Sequence, residues 1–195
     1  MDEGRAPAAL LIIDMIGLLD FPGADRIAPR AVAAARRIQA LRRRFHDRGW
    51  PVVFANDNFA RWRSDFREQV AMAVHAGGAP AEIATRLDPG PRDHFVLKPK
   101  HSAFLATPLP VLLAKLGVRR LLLTGMALES CVLATAIDGN SREFEVAVVR
   151  DAVAGRAELQ MPALRVIEGS GTARVLGSRA AVAWAADRGS AAGGR

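Results

Sequence analysis

Three residues of the sequence have side chains that can together perform nucleophilic chemistry. Asp14, Lys98 and Cys131 each stand at the end of a short apolar run or shortly after one. Cys131 is the only cysteine, so it cannot form a disulfide within the chain, and its thiolate would be a strong nucleophile. A neighbouring carboxylate can accept the thiol proton, and a lysine can offset the negative charge. The three residue types therefore indicate covalent catalysis through sulfur.

The position of Cys131 strengthens this interpretation. A helix is predicted from about Glu129, which places Cys131 in its first turn. Backbone N–H groups there lack partners within the helix, and the helix dipole is positive at this end. Both effects favour a thiolate, and the same N–H groups can bind the oxyanion of a tetrahedral intermediate.

Each residue also has a structural interpretation that the sequence leaves open. A lone cysteine is often an inert core residue, and an aspartate after a strand often caps a turn. Lys98 belongs to a Lys-Pro-Lys segment and can be a solvated loop charge. The joint placement of all three after predicted strands is what favours a site.

The predicted elements alternate between strands and helices. Continuous apolar runs are typical of strands buried on both faces of a parallel sheet. Six strands are predicted, at Ala8–Asp14, Pro51–Asn56, His94–Lys98, Arg119–Thr124, Glu145–Arg150 and Ala173–Leu176. The main predicted helices are Arg30–Asp47, Pro108–Lys115, one from about Glu129, Ala157–Glu168 and Arg179–Asp187.

This alternation predicts an α/β fold, a three-layer α/β/α sandwich around a mostly parallel, Rossmann-like six-stranded sheet. Residues 1–188 are predicted to form a single domain, and residues 189–195 a disordered tail. In such sheets ligands bind beyond the carboxyl ends of the strands, where Asp14, Lys98 and Cys131 are predicted to converge.

The sequence around these residues resembles the isochorismatase-like hydrolases, a superfamily that includes nicotinamidases. The resemblance covers about Ala8 to Ala154 in the order typical of the family. It rests on Ala9–Met15, on Phe95–Phe104 followed by Thr107 and Leu109, on Leu122–Val132 followed by Thr135, Ala136 and Asp138, and on Val146–Ala154.

The resemblance implies a role for each residue. Cys131 attacks a carbonyl or related carbon, Asp14 shuttles the proton, and Lys98 lies close to both. The peptide bond between Met126 and Ala127 is expected to be cis, and the N–H groups of Ala127 and Cys131 are expected to form the oxyanion hole. A cysteine nucleophile points to the thiol branch of the superfamily, whose members often cleave C–N bonds. The resemblance also implies a homo-oligomer.

Two departures from the family pattern affect the predicted pocket. Ile16 replaces a residue that is usually polar, and the segment after the second strand contains Asp57 but no histidine. One carboxylate without imidazoles is a poor site for zinc or iron, so we predict no metal and no cofactor. Five residues near this strand are candidates for the substrate pocket: Asn56, Asn58, Phe59, Trp62 and Arg63.

These pocket candidates have alternatives. Phe59 and Trp62 can equally form the buried face of a helix, and Arg63 can be a surface residue rather than a carboxylate ligand. His101, three residues after Lys98, can approach the site, although a hydrogen bond within its loop is the favoured interpretation.

Composition restricts the class of partner. The net charge of +7 comes from an excess of arginine, which we interpret as the solvated face of an amphipathic helix. No nucleic-acid-binding motif accompanies these arginines. No apolar run is long enough to span a membrane, and no signal-like segment precedes the first strand. With a single cysteine, these features predict a cytoplasmic location and a small-molecule substrate, with no nucleic-acid or membrane partner.

The sequence therefore predicts a cysteine-dependent hydrolase that cleaves an amide, ureido or similar C–N bond through an acyl-enzyme. The alternative is a catalytically silent binding or regulatory protein of the same fold. A nucleotide-binding domain is disfavoured because no phosphate-cradling glycine loop follows the first strand.

Overall fold

The computed structural model describes residues 7–58, 63 and 65–187. Within these ranges six strands and seven α-helices alternate along the chain. The strands are β1 (Ala8–Ile13), β2 (Val52–Asp57), β3 (His94–Lys98), β4 (Arg120–Gly125), β5 (Glu145–Val153) and β6 (Arg174–Leu176). They form one sheet in the order β3-β2-β1-β4-β5-β6, and every pairing is parallel.

The helices cover both faces of the sheet. They are α1 (Ala24–His46), α2 (Phe66–Ala76), α3 (Gly78–Leu87), α4 (Leu109–Lys115), α5 (Leu133–Ser141), α6 (Ala157–Gly169) and α7 (Ser178–Ala186). One apolar core lies between the sheet and α1, α2, α3 and α7, and a second lies between the sheet and α4, α5 and α6. The predicted three-layer α/β/α fold is confirmed.

Local sequence explains most of these elements. All six residues of β1 are buried, as the continuous apolar run predicted. Helix α1 begins earlier than the predicted Arg30, because Ala24 and Ile27 are buried against the core and extend its apolar face. Pro29 lies inside this helix. Proline in a helix interior normally disrupts the helix, so its presence alone would suggest that the helix begins at or after this residue.

An ion cluster fixes the start of the strand that carries Lys98. The Arg42 Nε donates to Asp93 Oδ1 over 3.0 Å, and His46 Nε2 lies 2.9 Å from the same oxygen. Burial works to raise the pKa of the Asp93 carboxyl, but the hydrogen bonds from Arg42 and from the Gly90 N–H outweigh it and hold the pKa below its usual value. The cluster therefore joins α1 to the loop before β3.

The order of the strands creates a crevice at the centre of the sheet. After β1 the chain builds β2 and β3 on one side, and it then returns to place β4 on the other side of β1. The connections that follow β1 and β4 therefore leave the sheet edge in opposite directions. The crevice between them is the usual location of a ligand site in a parallel sheet. Asp14 follows β1, and Cys131 follows β4 by a short turn.

Gly125 allows these two strands to approach at the crevice. It ends β4 with a φ of 105°, and an added Cβ would collide with backbone atoms of Ile13 in β1. Backbone on both sides of this contact is fixed by strand pairing between β1 and β4. No side chain can therefore occupy this position without displacing one of the strands that carry the site.

We predict that Gly125→Ala lowers the free energy of unfolding by about 3 kcal/mol, because the new methyl group clashes with backbone as well as straining φ. Gly171→Ala is the matched control: its φ is 70°, but nothing lies within 4 Å of an added Cβ. That control is expected to lose about 1 kcal/mol. Urea denaturation measures both, and equal losses would contradict the close-approach argument.

Candidate active site

Lys98 lies at the centre of a buried cluster of charged groups. The end of β3 carries it, and its side chain is fully buried. Its ammonium Nζ lies 2.8 Å from Asp14 Oδ2, 3.6 Å from Asp57 Oδ2 and 3.6 Å from the Cys131 Sγ. One cation therefore contacts three acidic groups that come from the ends of β1, β2 and the segment after β4.

The backbone around Asp14 fixes the direction of its carboxylate. Asp14 has a φ of 51°, and its N–H donates to the Ala55 carbonyl over 3.0 Å. The Asp57 N–H donates to Asp14 Oδ1 over 2.7 Å, which leaves Oδ2 for Lys98. Both carboxylate oxygens thus have partners, so the side chain is held in one orientation.

Cys131 lies in a π-helical turn, Leu128–Val132, that leads directly into α5. The peptide bond between Met126 and Ala127, just before this turn, is cis. The Leu128 N–H donates to the Ala154 carbonyl, and the Val132 N–H donates to the Ala127 carbonyl. Among the described residues, no backbone carbonyl accepts a hydrogen bond from the Ala127 N–H, and Ala127 lines the cavity.

A hydrogen-bonded threonine joins the cysteine segment to the lysine segment. The Thr135 hydroxyl donates to the Cys131 carbonyl over 2.7 Å and accepts from the Ala103 N–H over 3.0 Å. Thr107 in turn donates to the Ala103 carbonyl over 2.6 Å. These contacts hold the lysine segment and the cysteine segment in register.

Burial and the attraction between opposite charges together shift the pKa values of the cluster. Burial raises the pKa of the Asp14 carboxyl, although the Lys98 ammonium opposes this effect. Burial alone would lower the pKa of Lys98, but the Asp14 carboxylate outweighs it, so the pKa of Lys98 is raised. Asp14 and Lys98 therefore both hold their protons more tightly than they would in water.

The ionisation of the Cys131 thiol differs from the sequence-based expectation. The position of Cys131 in the first turn predicted a thiolate at rest. In the structure, burial and the neighbouring Asp14 carboxylate raise the pKa of the Cys131 thiol to about 11, and Lys98 offsets only part of this effect. Near neutral pH Cys131 is therefore a neutral thiol, because the effects of burial and of Asp14 on its pKa are larger than the attraction of the thiolate to the ammonium.

A cavity of about 470 Å³ opens beside the thiol. Polar groups occupy one part of its wall and apolar side chains the rest. The described residues that line it are Asp14, Phe21, Ile27, Asp57, Pro99, Lys100, His101, Met126, Ala127, Ser130 and Cys131. This volume is within the range of small-molecule binding sites.

The other predicted pocket residues have different positions. Asn56 is fully buried, and its amide group bonds the backbone N–H and carbonyl of Ile16, so it fixes the loop after β1. Asn58 is buried, and Arg63 is exposed. None of these three is among the described residues of the cavity wall. Phe59 and Trp62 lie outside the described residues.

Among residues 7–58, 63 and 65–187, no group of three or more histidine, cysteine, aspartate or glutamate side chains is arranged to hold a metal ion. No helix in these ranges is both long and apolar enough to cross a membrane.

Comparison with known proteins agrees with this architecture. A family model described as "Isochorismatase domain" matches residues 8–179. The chain belongs to the isochorismatase family. This membership confirms the resemblance on which the sequence-based prediction of a hydrolase rests.

Two relatives and one solved structure of the isochorismatase family illustrate the match. The uncharacterized family protein YaaI of Bacillus subtilis is 32% identical over 154 residues, which cover 79% of this chain and 84% of that protein. Ureidoacrylate amidohydrolase RutB of Methylorubrum extorquens is 34% identical, covering 82% of this chain and 75% of that protein. The crystal structure of an isochorismatase family protein from Desulfovibrio vulgaris is 25% identical, covers 92% of this chain and 98% of that one, and has a TM-score of 0.74.

Several residues line the cavity although sequence analysis gave them no catalytic or pocket role, and among them Asp57, Ser130 and His101 contact the charged cluster or each other. Asp57 was considered only as a metal ligand, yet its carboxylate lies beside Lys98. Ser130 and His101 meet beside the thiol. The signal for Asp57 was its position at the end of β2. The position of His101 three residues after Lys98 allowed it to approach the site, but its contact with Ser130 had no signal in the sequence.

We predict that the native thiol titrates with a midpoint near 11, as its raised pKa requires, and that denaturation returns the midpoint to about 8.5. Asp14→Asn removes a negative charge beside the sulfur and is expected to lower the native midpoint. The ultraviolet absorbance of the thiolate measures this cleanly, because the chain has one cysteine and no tyrosine.

Circular dichroism at each pH is the control for this titration. The thiol has a higher pKa in the folded state than in the unfolded state, so the folded protein loses stability as the pH rises between the two values. A native midpoint at or below that of the denatured protein would contradict the assignment of a neutral resting thiol.

Proposed function

We propose that the protein is a cysteine-dependent hydrolase that cleaves the C–N bond of a small amide or ureido compound through a covalent acyl-enzyme. The contact of Lys98 with both Asp14 and Cys131 beside an open cavity carries this proposal. The names of its relatives agree with it, since RutB is an ureidoacrylate amidohydrolase.

The first half of the reaction forms a thioester. Sγ of Cys131 attacks the carbonyl carbon of the substrate while the thiol proton passes to the Asp14 carboxylate. The carbonyl oxygen becomes an oxyanion, which the N–H groups of Ala127 and Cys131 bind. When the intermediate collapses, the C–N bond breaks, and the leaving nitrogen takes the proton from Asp14 and departs as ammonia or an amine.

The second half restores the enzyme. A water molecule attacks the thioester carbon and gives a proton to Asp14. Collapse of the second intermediate breaks the C–S bond, releases the carboxylic or carbamic acid, and returns the proton to sulfur. The raised pKa of Asp14 suits this role, because a carboxyl group that holds a proton readily can both accept and return it.

Lys98 makes this cycle possible in a buried site. Its ammonium lies between the base and the nucleophile, so it stabilises Asp14 as a carboxylate before proton transfer and the sulfur anion during attack. Its raised pKa keeps it protonated throughout. A lysine that is fully buried requires such paired charges, since an isolated buried ammonium is costly.

Trapping the acyl-enzyme tests the proposal. We expect a panel of primary amides and ureido acids to include a compound that releases ammonia, and rapid acid quenching followed by mass spectrometry to show a transient acyl group on Cys131. Cys131→Ala is expected to lose both the adduct and at least about a thousandfold in kcat/KM.

Two further variants separate the roles of the base and the cation. Asp14→Asn is expected to abolish turnover although it lowers the thiol pKa, because the proton then has no acceptor. Lys98→Met is expected to abolish turnover and to raise the thiol pKa. Turnover that survives Cys131→Ala would overturn the mechanism, and a folded protein that hydrolyses no member of the panel would favour the silent binding protein.

A further inference from the structure

A chain of hydrogen-bonding groups leads from the cavity mouth to the nucleophile. His101 Nδ1 lies 3.2 Å from the Ser130 Oγ, and this hydroxyl lies 3.9 Å from the Cys131 Sγ. His101, Ser130 and Cys131 all line the same cavity. The arrangement brings together the loop after β3 and the π-helical turn, which are separate in sequence.

A serine hydroxyl has one proton, so it can donate to only one of these two neighbours. When His101 Nδ1 carries a hydrogen, it donates to the Ser130 oxygen, and the hydroxyl proton is free to point at Sγ. When Nδ1 carries none, the hydroxyl donates to the imidazole, and sulfur receives no bond from it. The protonation of one ring nitrogen thus determines whether Cys131 has this donor.

This donor is distinct from the Lys98 ammonium. Among the described residues, two side-chain groups that can donate lie within hydrogen-bonding distance of Sγ: the Lys98 Nζ and the Ser130 Oγ. The ammonium shares its three hydrogens among Asp14, Asp57 and Cys131, and its shortest contact is with Asp14. Within the described ranges the Ser130 hydroxyl contacts His101 and Cys131 but no carboxylate, so it can donate to the sulfur once His101 donates to its oxygen.

We propose that Ser130 is a positioning residue for the nucleophile, and that His101, donating through Nδ1, directs the Ser130 hydroxyl towards the Cys131 Sγ so that it stabilises the thiolate. The hydrogen bond from Ser130 acts to lower the pKa of Cys131, against the larger effects of burial and Asp14. The proposal deepens the proposed function and rests on Cys131 as its nucleophile. Thiol reactivity nevertheless tests it without any substrate.

The experiment compares rates of Cys131 alkylation by iodoacetamide at about pH 8, where the rate follows the small thiolate fraction. We expect Ser130→Ala to react about three- to tenfold more slowly than the natural protein, because a hydrogen bond to a charged group is lost. Ser130→Thr retains the hydroxyl and is expected to restore most of the rate. Ser170→Ala, which removes a hydroxyl at the end of α6, is the control for serine loss elsewhere.

Variants at His101 test the second link. His101 has a φ of 32°, a conformation that asparagine and glycine also adopt readily. His101→Asn places an amide N–H near the position of Nδ1 and is expected to keep the natural rate. His101→Gly removes the donor and is expected to match Ser130→Ala, and the double variant is expected to lose no more than either single variant.

The outcomes separate this proposal from the proposed function. Natural reactivity in Ser130→Ala, independent losses that multiply in the double variant, or a loss in His101→Asn equal to that in His101→Gly would each overturn the relay. Equal alkylation of all denatured variants and unchanged circular dichroism show that the comparison concerns the folded site. A failure to trap any acyl-enzyme bears on the hydrolase mechanism alone, because the alkylation rates need no substrate.

Discussion

The geometry of the candidate site depends on the contacts of the buried Lys98 ammonium with its acidic neighbours. Moving a lysine side chain out of water costs several kcal/mol unless anionic partners compensate. Here the partners are Asp14 and Asp57, and the thiol of Cys131 lies at the same distance as the second carboxylate. The three acidic groups come from separate strands, so the ion cluster forms only when the sheet is complete. The same contacts that stabilise the buried charge also bring Asp14 close to Cys131, the proposed base and nucleophile.

The parallel sheet brings these groups together through its strand order. Asp14 and Cys131 follow the two neighbouring central strands, β1 and β4, whose following connections diverge. Lys98 comes from the edge strand β3 and reaches across β2 to the pair. The close approach of Gly125 to Ile13 sets the separation of β1 and β4 at this point. Close backbone packing of β1 and β4 thus accompanies the approach of the segments that follow them.

The ionisation of the cluster has a chemical consequence. A thiol whose pKa is raised to about 11 is a poor nucleophile towards chance electrophiles in water. In the proposed mechanism it becomes reactive when the Asp14 carboxylate accepts its proton at the moment of attack. The raised pKa of the Asp14 carboxyl narrows the difference in pKa between this group and the thiol, whereas the raised pKa of the thiol widens it. In the proposed relay from His101, the hydroxyl of Ser130 adds a neutral donor to the charged groups around the sulfur.

The sequence by itself determined the fold class, the strands and the family. Continuous apolar runs and strand–helix alternation are local properties, and the motifs around Asp14, Lys98 and Cys131 lie within short segments. Tertiary structure alone decided the ionisation of Cys131, since burial depends on every element that surrounds the sulfur. It also decided that Asn56 holds the loop after β1, and that Asp57, Ser130 and His101 reach the cavity. Such contacts join residues that are far apart in the chain, and no local pattern specifies them.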